Sequence, residues 1–216
     1  MLTLQPRNTR NVKLLCIGAH ADDLEIGCAG TMLELLVRWS SVDVTWVVLS
    51  AVGPRGQEAR ESARRLLRRA QRIEVRTESF RDGYFPAQYS AIKDGFEALK
   101  RQVSPDIIFT HARDDLHQDH RLVAELTWNT FRDHLILEYE IPKYDGGLGS
   151  PSVFVPVSTV NLRRKVALLM RGFASQRSKR WFAPETFIGL MRIRGIECNS
   201  PSGYAEAFHG RKIVIA

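Results

Sequence analysis

The sequence has little cysteine and no long apolar run, and each scarcity narrows what the chain can be. Only three cysteines, Cys16, Cys28 and Cys198, occur in 216 residues, none in a CxxC pair. An odd, dispersed set argues against a disulfide framework and leaves the thiols as small buried side chains. No run of about 18 apolar residues is present, so no transmembrane helix is expected. Residues 1–10 are polar and lack the apolar centre of a secretory signal, which makes cytoplasmic residence the expectation. There is no internal repeat and no low-complexity tract. What remains has the length of one domain, residues 1–216, enough to bury a substantial core.

Acidic residues are also in deficit, 24 Asp and Glu against 31 Lys and Arg, for a formal net charge of +7. The basic residues concentrate at 60–72, 163–165 and 171–180. A basic surface suits nucleic acid or an acidic substrate. Such runs are more often the solvated faces of helices. No RNP, helix-turn-helix or zinc-finger pattern accompanies them, so no nucleic-acid partner is expected.

Apolar, β-rich runs alternate with stretches of helical spacing. The pattern predicts strands at 12–17, 42–49, 73–77, 106–110, 134–139 and 153–157. It predicts helices at 27–39, 58–72, 91–103, 119–132, 158–172 and 184–194. Loops are expected at 54–56, 80–86 and 143–152, a short apolar and acidic segment at 204–208, and a terminal strand or tail at 213–215. This alternation implies right-handed βαβ crossovers and a mainly parallel α/β sheet with helices on both faces.

Two clusters of His and Asp punctuate the pattern. Ala19-His20-Ala21-Asp22-Asp23-Leu24-Glu25-Ile26-Gly27 follows the first strand, and Asp115-Leu116-His117-Gln118-Asp119-His120 follows the fourth. In the strand order 3-2-1-4-5, strands one and four flank the switch point, where ligands bind at the carboxyl ends. The fold therefore brings together clusters about ninety residues apart.

His20, Asp23 and His120 would make a three-ligand set for Zn²⁺ with one position left for water. Such an ion lowers the pKa of its water from about 15.7 towards 7. Asp22, beside a ligand but not needed as one, suits a general base. His117 can face the site without ligating and, as an imidazolium, stabilise an oxyanion or protonate a leaving amine. Asp119 could orient His117 or His120. Mixed His and carboxylate ligation also suits Fe²⁺, Mn²⁺ or Co²⁺, and Asp-rich turns also cap helices. His111, His134 and His209 are expected to be structural or surface residues.

The first cluster resembles the His-Pro/Ala-Asp-Asp motif of the PIG-L/LmbE-like zinc-dependent N-deacetylases, and the second resembles that family's other main motif. Weaker similarities fall at Arg55-x-x-Glu58, Asp82-Gly83, Ser175-Gln176 and 204–208. The resemblance implies a Rossmann-like three-layer fold and hydrolysis of an N-acetyl group from an N-acetylated amino sugar or its conjugate. It assigns one zinc to His20, Asp23 and His120, the base to Asp22, and oxyanion or leaving-group assistance to His117. It weakly implies a homo-oligomer. Ala21 stands where Pro is commoner, Leu24 where many members carry Glu, and Gln118 where Pro is common, which marks a subtype and bears on the substrate. By position, Arg55, Asp82 and the loop 143–149 would shape the sugar pocket.

Two other readings compete. A metallo-β-lactamase-type hydrolase would carry His-x-His-x-Asp-His, but here Asp115 replaces the first His and the cluster lies in mid-chain. A basic nucleic-acid-binding protein would rest on residues 60–72 alone. A metal-retaining but inactive sugar-binding relative is disfavoured by the presence of both Asp22 and His117.

Overall fold

A computed structural model describes residues 11–214; the polar segment 1–10 and the last residue of the expected terminal strand, Ile215, lie outside the described residues. Seven strands form one sheet in the order β3-β2-β1-β4-β5-β7-β6. They are β1 (Val12–His20), β2 (Val42–Ser50), β3 (Arg72–Thr77), β4 (Ile107–His111), β5 (Leu135–Tyr139), β6 (Val153–Pro156) and β7 (Ala205–Gly210). The first five pair in parallel in the expected order. β7 adds antiparallel to β5 and then to β6.

Helices α1 (Asp23–Arg38), α2 (Pro54–Leu66), α3 (Tyr89–Gln102), α4 (Gln118–Thr130), α5 (Thr159–Gly172) and α6 (Pro184–Glu197) complete the three layers. β1 is buried on both faces and its side chains alternate between two cores. Leu14 and Cys16 pack with Met32, Trp46 and Phe109 on the side of α1 and α2. Leu15 and Ile17 pack with Ile92, Phe96, Leu122 and Val123 on the side of α3 and α4. Among the described residues, no helix is long and apolar enough to cross a membrane.

Several boundaries differ from the pattern. α1 starts at Asp23 rather than at residue 27, because Asp23 and Glu25 suit the positive end of a helix. The His20 N–H also donates to Asp23 Oδ2 at 2.7 Å, which turns the strand directly into the helix. Residues 54–56, expected as a loop, are the first turn of α2. Pro54 at that turn loses no helix hydrogen bond, and Gly53 before it takes φ +58°. The apolar and acidic segment near 204–208 is part of a strand, β7. Residues 213 and 214 belong to no strand.

One buried ion pair ties α1 to both later elements. Lys165 of α5 donates to Glu206 Oε1 of β7 at 2.6 Å and to the Ile26 carbonyl at 2.5 Å. Glu206 in turn accepts the N–H groups of Gly30 and Thr31 at 2.8 and 2.6 Å.

Candidate functional site

The parallel pairing of Leu14 with Ile107 and Cys16 with Phe109 sets the exits of β1 and β4 side by side. The first cluster leaves β1 into α1, and the second leaves β4 into α4, so the two converge at the carboxyl edge of the sheet. His20 Nδ1 lies 3.2 Å from His120 Nε2 and 3.3 Å from Asp23 Oδ2, and the last two atoms are 3.5 Å apart. Ligands about 2.0–2.1 Å from a tetrahedral zinc ion stand about 3.4 Å from one another. The three donor atoms therefore have the spacing that such an ion requires.

The nitrogens on the far side of each ring support the same conclusion. His20 Nε2 faces Asp119 Oδ2 at 3.2 Å and Asp82 Oδ1 at 3.1 Å. His120 Nδ1 faces Asp115 Oδ2 at 3.0 Å. A carboxylate only accepts hydrogen bonds, and the outer nitrogens have the shorter carboxylate contacts, so a neutral ring favours its hydrogen on the outer nitrogen and its lone pair inward. With the rings neutral, two lone pairs and a carboxylate oxygen face one point; the cluster thus takes up positive charge, either a metal ion or the proton that His20 holds strongly. Asp119 thus stands behind His20, not behind His117 or His120, and Asp115 takes the place behind His120. Asp119 is itself held by the N–H groups of Gly83 and Phe85 at 2.6 and 3.1 Å.

The charges follow from these contacts. Burial lowers the proton affinity of His20, but Asp23, Asp119 and Asp82 outweigh it and hold the ring well above its ordinary value. Burial pushes Asp23 up, yet His120, His111 and His20 hold it well below the carboxylate range. Burial, and then the neighbouring His111, bring His120 down to about 4. Asp22 is raised by burial and by Asp23, against the opposing Arg55. Its Oδ1 lies 3.4 Å from Arg55 Nη2, while Arg55 Nη1 donates to Asp82 at 2.7 Å.

His117 caps α4. Its Nδ1 accepts the Asp119 N–H at 3.3 Å, which leaves the proton of the neutral ring on Nε2. Burial and the nearby His20 lower its pKa, which favours the neutral ring over the imidazolium. A cavity of about 230 Å³ brings His20, Asp22, Asp23, Arg55, Asp82, His117 and His120 together. His134 and His209 are not on its wall.

His111, expected as a structural or surface histidine, is buried directly against the cluster. Its Nε2 accepts the Ala19 N–H at 3.0 Å and lies 3.1 Å from Asp23 Oδ2, and its ring stacks on His120 at 3.9 Å. The only signal in the sequence is its place at the end of the fourth strand. Lys143, Tyr144 and Asp145 of the glycine-rich loop also line the cavity, as do Gln176, Lys179 and Trp181. Lys143 Nζ donates to Asp115 at 2.8 Å, and the Arg180 N–H donates to Tyr144 Oη at 3.2 Å, so this loop is tied down on both sides.

The chain matches the model of the PIG-L family, described as GlcNAc-PI de-N-acetylase, over residues 15–131. No curated protein sequence matches it. Among solved structures it is similar to N,N'-diacetylchitobiose deacetylase from Pyrococcus horikoshii, with 22% identity, a TM-score of 0.72, and coverage of 92% of this chain and 83% of that one. It is similar to a zinc-inhibited form of teicoplanin deacetylase Orf2, with 13% identity, a TM-score of 0.72, and coverage of 92% and 97%. It is equally similar to GalB, the 4-carboxy-2-hydroxymuconate hydratase of Pseudomonas putida KT2440, with 15% identity, a TM-score of 0.73, and coverage of 95% and 98%. At these identities the likenesses establish the fold.

Proposed function

The chain belongs to the PIG-L family, and on that premise we propose that it is a metal-dependent hydrolase that removes an N-acetyl group from an N-acetylated amino sugar or its conjugate. The fold alone does not select this chemistry, since it also carries a hydratase. The observation that carries the reading is the trio of donor atoms on His20, Asp23 and His120, spaced 3.2–3.5 Å apart with each histidine turned by a carboxylate behind it.

Those three residues would hold the ion, for which zinc is the best chemical match, and it would supply a more acidic water and a polarised carbonyl. Asp22 accepts a proton from the attacking water and passes it to the departing nitrogen. Its burial brings a carboxylate closer to the range in which a base works near neutral pH. Arg55 holds Asp22 and Asp82 in place. His117 donates its Nε2 hydrogen to the acetyl oxygen as negative charge gathers there. Water and the amide become acetate and the free amine.

Amine release from a panel of N-acetylated sugars, nucleotide sugars and glycosides tests the reading. Activity should vanish with a chelator and return with Zn²⁺. Full activity in protein shown to be metal-free by elemental analysis overturns it.

A further inference from the structure

Two sequence features left unused by the reaction, Glu58 and the pair Ser175-Gln176, meet in the structure. Glu58 on α2 accepts the Ser175 N–H at 3.0 Å and the Ser175 hydroxyl at 2.5 Å. A carboxylate can only accept, so the Ser175 hydrogen is committed to Glu58 and Ser175 Oγ is left as an acceptor. Gln176 Nε2 donates to that Oγ at 3.1 Å. The charge on Glu58 thus sets the direction of every bond in the chain, and with it which end of the Gln176 amide faces Ser175.

The other end, Oε1, has no donor among the described residues, although Gln176 is only 3% exposed. Gln176 lies on the wall of the same cavity as His20, Asp22, Arg55 and His117, and so does the half-buried indole of Trp181. A buried acceptor held in one orientation is unfavourable until a donor reaches it, and a ligand hydroxyl can be that donor as a water can. Gln176 and Trp181 also lie outside the residues 15–131 that the family model matches. They sit on the part of the wall formed by the segment between α5 and α6.

We propose that Gln176 determines specificity by accepting, through Oε1, a hydrogen bond from a hydroxyl of the bound sugar, with Glu58 and Ser175 as the positioning residues. This inference rests on the deacetylase reading. It names the substrate class more closely: a pyranoside with a free hydroxyl that reaches Gln176 and a ring face that can lie on Trp181.

The test measures kcat/KM and saturation-transfer NMR binding for methyl N-acetylglucosaminide and its 3-, 4- and 6-deoxy relatives. The enzymes are the zinc-loaded wild type, Gln176→Leu, Ser175→Ala and the double variant. Leucine keeps the volume and lacks the acceptor. In the wild type, loss of one particular hydroxyl should cost roughly ten- to a hundredfold. In Gln176→Leu the parent sugar should fall to the level of that deoxy sugar, with no further loss for the deoxy sugar itself. Ser175→Ala should move in the same direction and add nothing in the Gln176→Leu background, with zinc content and melting temperature unchanged in all. If Gln176→Leu lowers all four sugars by one factor, or none, the inference is overturned while the deacetylase reading stands. If no sugar is turned over, that reading fails, and NMR binding decides the inference: no hydroxyl-dependent difference, or no binding, overturns it.

Discussion

Replacing Lys165 with methionine should be among the most destabilising single changes in this protein. Lys165 and Glu206 are 2% and 4% exposed. Methionine keeps most of the stem, so the change removes charge with little loss of volume. Glu206 would then keep the Gly30 and Thr31 N–H groups but no cation, and the Ile26 carbonyl would lose its donor. Stranding one partner of a buried ion pair costs about 3–5 kcal/mol. With a urea slope of about 2 kcal/mol/M, the midpoint should fall by about 2 M at an unchanged slope. Adding Glu206→Gln should restore at least half of the loss. The glutamine amide removes the stranded charge, its oxygen can take one N–H, and its nitrogen can donate to Ile26. A loss below about 1 kcal/mol for Lys165→Met, or a double variant whose loss equals the sum of the two single ones, refutes this account of how α1 is held.

Further outcomes follow from the site. His117→Ala should lower turnover by roughly two to three orders of magnitude, the scale for one oxyanion donor, with zinc content unchanged; loss of zinc would make His117 a ligand. Asp22→Asn should bind zinc normally and lose about 10²–10⁴-fold in turnover, whereas Asp23→Ala should bind zinc weakly and regain part of its activity at high zinc. If the asparagine variant is the one that empties, the two roles are exchanged. Glu25 is fully buried, neither carboxyl oxygen makes a well-formed hydrogen bond among the described residues, and burial, against the nearby Ser62 hydroxyl, pushes it up to about 8. Its folded pKa exceeds the unfolded value of about 4.3, so it binds more protons when folded and subtracts stability as pH rises from about 4.3 to about 8. Glu25→Gln should therefore gain on the wild type across that window, by a few kcal/mol at most, in urea melts at pH 5 and pH 8.5; an equal gain at both would rule out ionisation as the cause. Gly27→Ala should destabilise by about 1–3 kcal/mol or more, because its Cβ would sit 2.4 Å from the buried Tyr139 ring, and a wild-type melting curve would contradict that packing.

Much of the frame was legible because periodicity and punctuation are local properties. Apolar runs of strand length alternate with helical spacing, which implied a mainly parallel sheet, and the order 3-2-1-4-5 considered for it is the one found from β3 through β5. The boundaries were less legible where one residue type serves two purposes. Asp22 and Asp23 read as a loop motif, yet Asp23 also begins α1. Pro54-Arg55-Gly56 has a loop's composition, yet proline is at ease in a helix's first turn. The strand β7 was hidden because its partners, β5 and β6, precede it by more than forty residues, and antiparallel addition at an edge leaves no local trace.

The sequence by itself determined which residue types could do chemistry and that they follow the first and fourth apolar runs, the two strands that flank the switch point in the order 3-2-1-4-5. Only the tertiary structure decided which nitrogen of each histidine faces inward. That depends on carboxylates arriving from elsewhere in the chain, Asp82 and Asp119 behind His20 and Asp115 behind His120. It also decided that His111 joins the site while His134 and His209 do not, because a histidine's role depends on what neighbouring strands place within about 3 Å of its ring. The chain from Glu58 through Ser175 to Gln176 spans more than a hundred residues. No local pattern encodes such a contact, because hydrogen bonds act over a few ångströms of space whatever the separation along the chain.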